Sequence, residues 1–152
     1  MLRHSRFLTG LATTVLLGSG LAAAKMNINV SSLSADGQEV RNLSCALESG
    51  GLFASVAVVG ALAKQKSALS ACAPQGAAFS VQLTFAGGGS KGAKVVSSTD
   101  KAKESCVARA LSNLHTDLEG TCNAIILTGN PAAANKAADT LAPPTDKAPA
   151  TK

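Results

Sequence analysis

Tryptophan and tyrosine are absent from this 152-residue chain, and phenylalanine occurs only four times. With so few aromatic rings there are almost no platforms on which unpaired bases could stack, so recognition of single-stranded nucleic acid is disfavoured. Histidine is equally scarce, with two in the whole chain. No Gly-x-Ser-x-Gly elbow and no Cys-x-x-Cys pair occurs, which removes the usual sequence marks of an activated serine or of a dithiol redox centre. Apolar runs long enough to approach a membrane span are missing after the first 24 residues.

What is present begins with those first residues. MLRHSR is a short basic stretch, FLTGLATTVLLGSG is apolar, and LAAA ends in the small-x-small pattern that a signal peptidase cuts. We read residues 1–24 as a secretory signal peptide, with Lys25 as the mature N-terminus. Export then implies a periplasmic or secreted protein. Loss of Arg3 and Arg6 leaves 12 basic against 9 acidic residues, a net charge of +3. That is a mild charge and weak evidence for a nucleic-acid face. Lys91, Lys94, Lys101 and Lys103 bunch together, and we read them as a solvated surface.

All four cysteines, Cys45, Cys72, Cys106 and Cys122, lie beyond the signal. An even number in a small exported chain marks a disulfide framework. Their separations of 27, 34 and 16 residues do not resemble the close pairs of a structural zinc site. Neither a metal nor a cofactor is expected. From the residues alone, three connectivities remain open.

The rest of the chain divides by pattern. Residues 25–129 read as the folded domain, and 130–152, rich in Ala, Pro, Lys and Thr, read as a disordered tail with nothing bulky to bury. The domain opens with a hairpin about Asp36-Gly37, a dipeptide suited to a type I′ turn. Folding about that turn sets Met26 opposite Leu47, Ile28 opposite Cys45 and Val30 opposite Leu43, with Asn27 and Asn29 on the other face. Leu33 and Val40 then fall out of phase, which predicts a bulge or strong twist near the turn. Leu52, Val56, Val59, Leu62, Leu69 and Cys72 recur at helical spacing. Phe79, Val81, Leu83 and Phe85 alternate along a strand that a glycine-rich turn joins to AKVVSS. A second helix starts near Asp100 as N-cap and carries Cys106, with Val107, Ala110, Leu111 and Leu114 on its apolar face. TCNAIILTG is a last strand, apolar on both sides at its centre and therefore internal. The predicted order is β-β-α-β-β-α-β.

Two apparent motifs dissolve on inspection. Gly87 to Lys94 resembles a phosphate loop, but Ala93 stands where the lysine belongs and the stretch leads into a strand. His115, Asp117 and Glu119 could supply acid and base groups, yet they share one polar loop and read as exposed. The sequons at Asn29 and Asn42 we treat as chance. No constellation meets the criteria for catalysis, and we expect no enzyme activity.

From the first helix onward, the segments LAKQKSALSAC, FSVQLTFAGGGSKGAKVVSS and CVARAL resemble the TonB-like C-terminal domain, in particular the C-terminal module of the AgmX/PglI group of Gram-negative envelope proteins. The resemblance covers about half the chain and rests on order and short motifs. It implies an α+β fold, a β-hairpin followed by a TonB-like αββαβ unit, with two helices packed on one face of an antiparallel sheet. It also implies a Cys72–Cys106 bond, since a cysteine late in the first helix and another in the second recur in that group. Cys45 and Cys122 would then tie the added hairpin to the core. The chain departs from an energy-transducing TonB, which has an uncleaved anchor and a proline-rich spacer ahead of this domain. Fold likeness alone therefore does not carry that function over. The resemblance implies instead a non-catalytic envelope module that binds a protein partner through a sheet edge. A disulfide-stabilised secreted effector or inhibitor is the alternative.

Overall fold

The computed structural model describes residues 25–48 and 51–142. The signal reading of residues 1–24 and the last part of the tail lie outside the described residues. Among the described residues the fold is α+β, with a five-stranded antiparallel sheet, four helices and two cysteine pairs at disulfide distance. The strands are β1 (Met26–Ala35), β2 (Gln38–Leu47), β3 (Ala77–Ala86), β4 (Ser90–Ser98) and β5 (Glu119–Thr128), ordered β1-β2-β5-β3-β4 across the sheet. The last strand in sequence is thus the central one. This explains why β5 is apolar on both faces, with Cys122, Ala124 and Ile126 buried on one side and Ile125 and Leu127 on the other.

The first hairpin has the register that its sequence predicts. Asp36 and Gly37 take φ of 50° and 72°, the left-handed pair that a type I′ turn requires. Met26 faces Leu47, Ile28 faces Cys45, and Val30 faces Leu43. The phase conflict is resolved at Asn42, whose φ is 51°, where the pairing of β2 with β5 shifts between Arg41 and Ser44. This extra residue lets Val40 and Leu43 bury their side chains in the same core despite their odd spacing.

One face of the sheet carries Phe79, Val81, Leu83 and Phe85, all buried. It is covered by α1 (Ala54–Lys64), α2 (Lys66–Cys72) and α3 (Glu104–Leu111). The single helix expected over this region is broken at Gln65, and Val56 lies outside the core at 55% exposure, whereas Val59, Leu62, Leu69 and Cys72 are buried. Asp100 makes no side-chain cap: it precedes a 3-10 turn over Lys101–Lys103, and α3 begins only at Glu104. The face Val107, Ala110, Leu111 and Leu114 is buried as predicted.

The boundary at residue 130 needs correction. A fourth helix, α4 (Pro131–Ala138), packs on the opposite face of the sheet, where Ala134 and Ala138 meet Ala78, Ile125 and Leu127, with Leu141 alongside. Helices therefore cover both faces. The physical reason is that Ile125 and Leu127 point away from the main core and need a cover. Alanine supplies it because the helix can then lie close to the strands. Asn130 caps α4, its Oδ1 accepting from the N–H groups of Ala132 (3.0 Å) and Ala133 (3.2 Å), with Pro131 in the first turn. Gly129, at φ 74°, makes the junction possible, because a Cβ there would strike the carbonyl of Ala73.

Candidate functional site

The cysteines are the first candidates. Cys45 and Cys122 sit directly opposite each other on β2 and β5, both buried, with Cα atoms 4.0 Å apart and sulfurs at bonding distance. Their bridge ties the first hairpin to the central strand. Cys72 ends α2 and Cys106 lies in the first turn of α3, with Cα atoms 5.7 Å apart and sulfurs again at bonding distance. Cys72 is buried, whereas Cys106 is exposed. No free thiol remains among the described residues, so neither pair offers a nucleophile or a thiolate ligand in this state.

The polar loop between α3 and β5 is held by its apolar members. Leu114 and Leu118 enter the core, their carbonyls accept from the N–H groups of Ser90 (2.8 Å) and Gly87 (2.9 Å), and the Thr116 hydroxyl accepts from the Leu118 N–H (2.9 Å). His115 and Asp117 are left exposed on its outside, and Glu119, also exposed, lies not in the loop but at the start of β5. Among the described residues, no group of three or more His, Cys, Asp or Glu side chains is arranged to hold a metal ion. Gly87 and Gly88, with φ of 63° and 80°, serve a turn between β3 and β4. Lys91, Lys94, Lys101 and Lys103 are all exposed.

Side-chain chemistry is concentrated instead where β2 meets α4. The Arg41 guanidinium donates to Glu39 Oε1 (3.0 Å), to Asp139 Oδ1 (2.9 Å) and to Asn135 Oδ1. Chiefly the Glu39 bond, then that to Asp139, pushes the Arg41 pKa still higher, against the lowering effect of burial. Beside it, Gln38 is buried and its amide donates to the Leu127 carbonyl (2.8 Å). The bonds to Asn135 and Asp139 bind α4 to the sheet, while the Gln38 bond ties β2 to β5. The α4 contacts were missed from sequence, because the tail's composition hid the helix. The Asn130-Pro131 start was the signal that could have found it.

The remaining features are the two sheet edges, and they differ. On β4, pairing with β3 shifts twice, between Ser80 and Val81 and between Thr84 and Phe85, and the strand carries Lys91 and Lys94. Bulges and edge lysines are the devices by which proteins discourage a further strand from adding. On β1 the sequence MNINVSSLSA has neither a charge nor a proline, and its pairing with β2 keeps one offset from Met26 to Ala35. Its core-side residues Met26, Ile28 and Val30 are only half-buried, whereas their partners Leu47, Cys45 and Leu43 are fully so. Among the described residues, no strand pairs with the outer side of β1.

No protein-family model, curated protein or solved structure matches the chain. No helix among the described residues is long and apolar enough to cross a membrane.

Proposed function

We propose that this protein is an exported, non-catalytic interaction module of the cell envelope, which binds a protein partner by taking an extended segment onto β1. The observation that carries the proposal is the contrast between the edges: β4 is broken by bulges and lysines, and β1 is left bare. Main-chain hydrogen bonds along such an edge give affinity, and side chains alternating on either face give specificity. Export is supported by the leader pattern in residues 1–24 and by cysteine pairs that an oxidising compartment would maintain. The likeness to TonB-like modules supports the same reading, since α1–α2, β3, β4, α3 and β5 follow in the αββαβ order.

The proposal is tested with a photo-activated crosslinking residue at Asn27, on the exposed face of β1, in the native cell. A control carries the same residue at exposed Ser112. Adducts specific to position 27, with the crosslinked peptide of the partner identified by mass spectrometry, are the expected result. Equal adducts at both positions, or none at position 27, would refute it.

A further inference from the structure

We infer that the partner on β1 is a second copy of this chain, related by a two-fold axis that pairs β1 antiparallel with its own mate. The inference rests on the reading of β1 as the docking edge and adds the occupant. A two-fold axis sets a strand against itself, so any charge near the axis meets its own sign. From Met26 to Ala35 there is none. Self-pairing of β4 would instead bring Lys91 and Lys94 toward their own copies.

Helix α1 supplies an independent observation. It lies across β1 and β2, at the open end of the sheet. Neighbouring strands are about 4.8 Å apart. A helix centred between β1 and β2 therefore stands roughly two strand spacings, about 10 Å, from its symmetry mate once β1 pairs with β1. That is the distance at which helices pack. The helix is prepared for such a contact. Val58, Val59 and Leu62 are buried in its own core, but Phe53, just ahead of α1, is 78% exposed and Val56 is 55% exposed, with Ala57 exposed beside them. No charge occurs on this side before Lys64. Isolated surface hydrophobics need no explanation, but a cluster at helical spacing next to a bare strand edge does. One symmetry operation would act on both: it closes the edge and sets the two α1 helices, with the apolar residues of their exposed sides, alongside each other. The two sheets would become one of ten strands.

The decisive measurement is sedimentation equilibrium of the exported, oxidised protein from 1 to 200 µM, alongside two variants. Wild type is expected to dimerise in this range. Asn27→Lys with Asn29→Lys places charges beside the axis and should weaken the dimer at least tenfold with an unchanged circular dichroism spectrum. Phe53→Ser tests the helix contact without touching the strand, and it decides the matter should the lysine variant fail to fold. Wild type that stays monomeric, or a dimer indifferent to the folded variants, overturns the inference. The crosslink at Asn27 separates the two proposals. An adduct with the same chain supports both. An adduct with a different protein overturns the dimer and leaves β1 a docking edge, and no adduct removes both.

Discussion

The two faces of the sheet are covered by different means. Below α1, α2 and α3 the cover is made of bulky side chains, Leu62, Leu69, Val107 and Leu111 against Phe79, Val81, Leu83 and Phe85, with both disulfides on that side. Below α4 the cover is alanine, Ala134 and Ala138 against Ile125 and Leu127, fastened at its far end by Arg41. The first face derives its stability from apolar area and cross-links. The second derives it from close approach, a helix cap and a polar clasp. The difference implies a hierarchy in which the α4 side can open while the other side holds.

The hierarchy can be broken from its strongest member downward. Replacing Cys45 and Cys122 together by alanine removes a bridge across 77 residues and should cost about 4 kcal/mol in the chain-entropy account. Urea unfolding under non-reducing conditions checks this, and a loss near zero would mean that the strand ladder alone fixes the hairpin. Leu83→Ala, in the fully buried core, should cost about 3 kcal/mol. Truncation after Gly129 exposes Ile125 and Leu127 and should cost about 2 kcal/mol while the five strands persist. Hydrogen exchange on the truncated protein should show β2, β5 and β3 still protected. Global unfolding on truncation would erase the distinction between the faces. Asn130→Ala, which removes the α4 cap, should cost about 1 kcal/mol. Smallest is Arg41→Ala, at about 0.5 kcal/mol, because the clasp is partly exposed and Asp139 is mostly solvated.

The same contrast explains what could be read from the sequence. The first hairpin was legible pair by pair, since Asp36-Gly37 fixes the turn and a period of two fixes the face. The phase conflict between Val30–Leu43 and Leu33–Val40 announced an irregularity but placed it near the turn, whereas the β1–β2 ladder keeps one offset and the shift falls at Asn42, in the pairing with β5. The internal position of β5 followed from its two apolar faces. Helix α4 was not legible through hydropathy, because a stretch of Ala, Asn and Lys has too little contrast between its faces. Its start was written in the cap instead. The break at Gln65 has no glycine or proline to announce it, and Val56 fits the helical period of its neighbours while pointing outward. Of the candidate site, residue types located the cysteines but not their partners, and the contrast between the edges needed the strand order. Hydropathy alone could not reveal that β1 and β4 are the outermost strands.

The order of the two bridges along the chain has a consequence for a molecule exposed to proteases. Cys72–Cys106 lies wholly inside Cys45–Cys122, like one pair of brackets within another. A single cut anywhere between residues 45 and 122 leaves the halves covalently joined, and a cut in the exposed Gly87-Gly88 turn is spanned twice. Freeing an internal piece takes two cuts, either both within one segment between neighbouring cysteines or one on each side between the brackets. Helix α4 lies outside both brackets, so a cut just before it severs the only covalent link to the strands it covers. Molecules clipped once between residues 45 and 122 should therefore run as whole chains until reduced, whereas a cut outside the brackets, before Cys45 or just ahead of α4, severs a terminal segment at once.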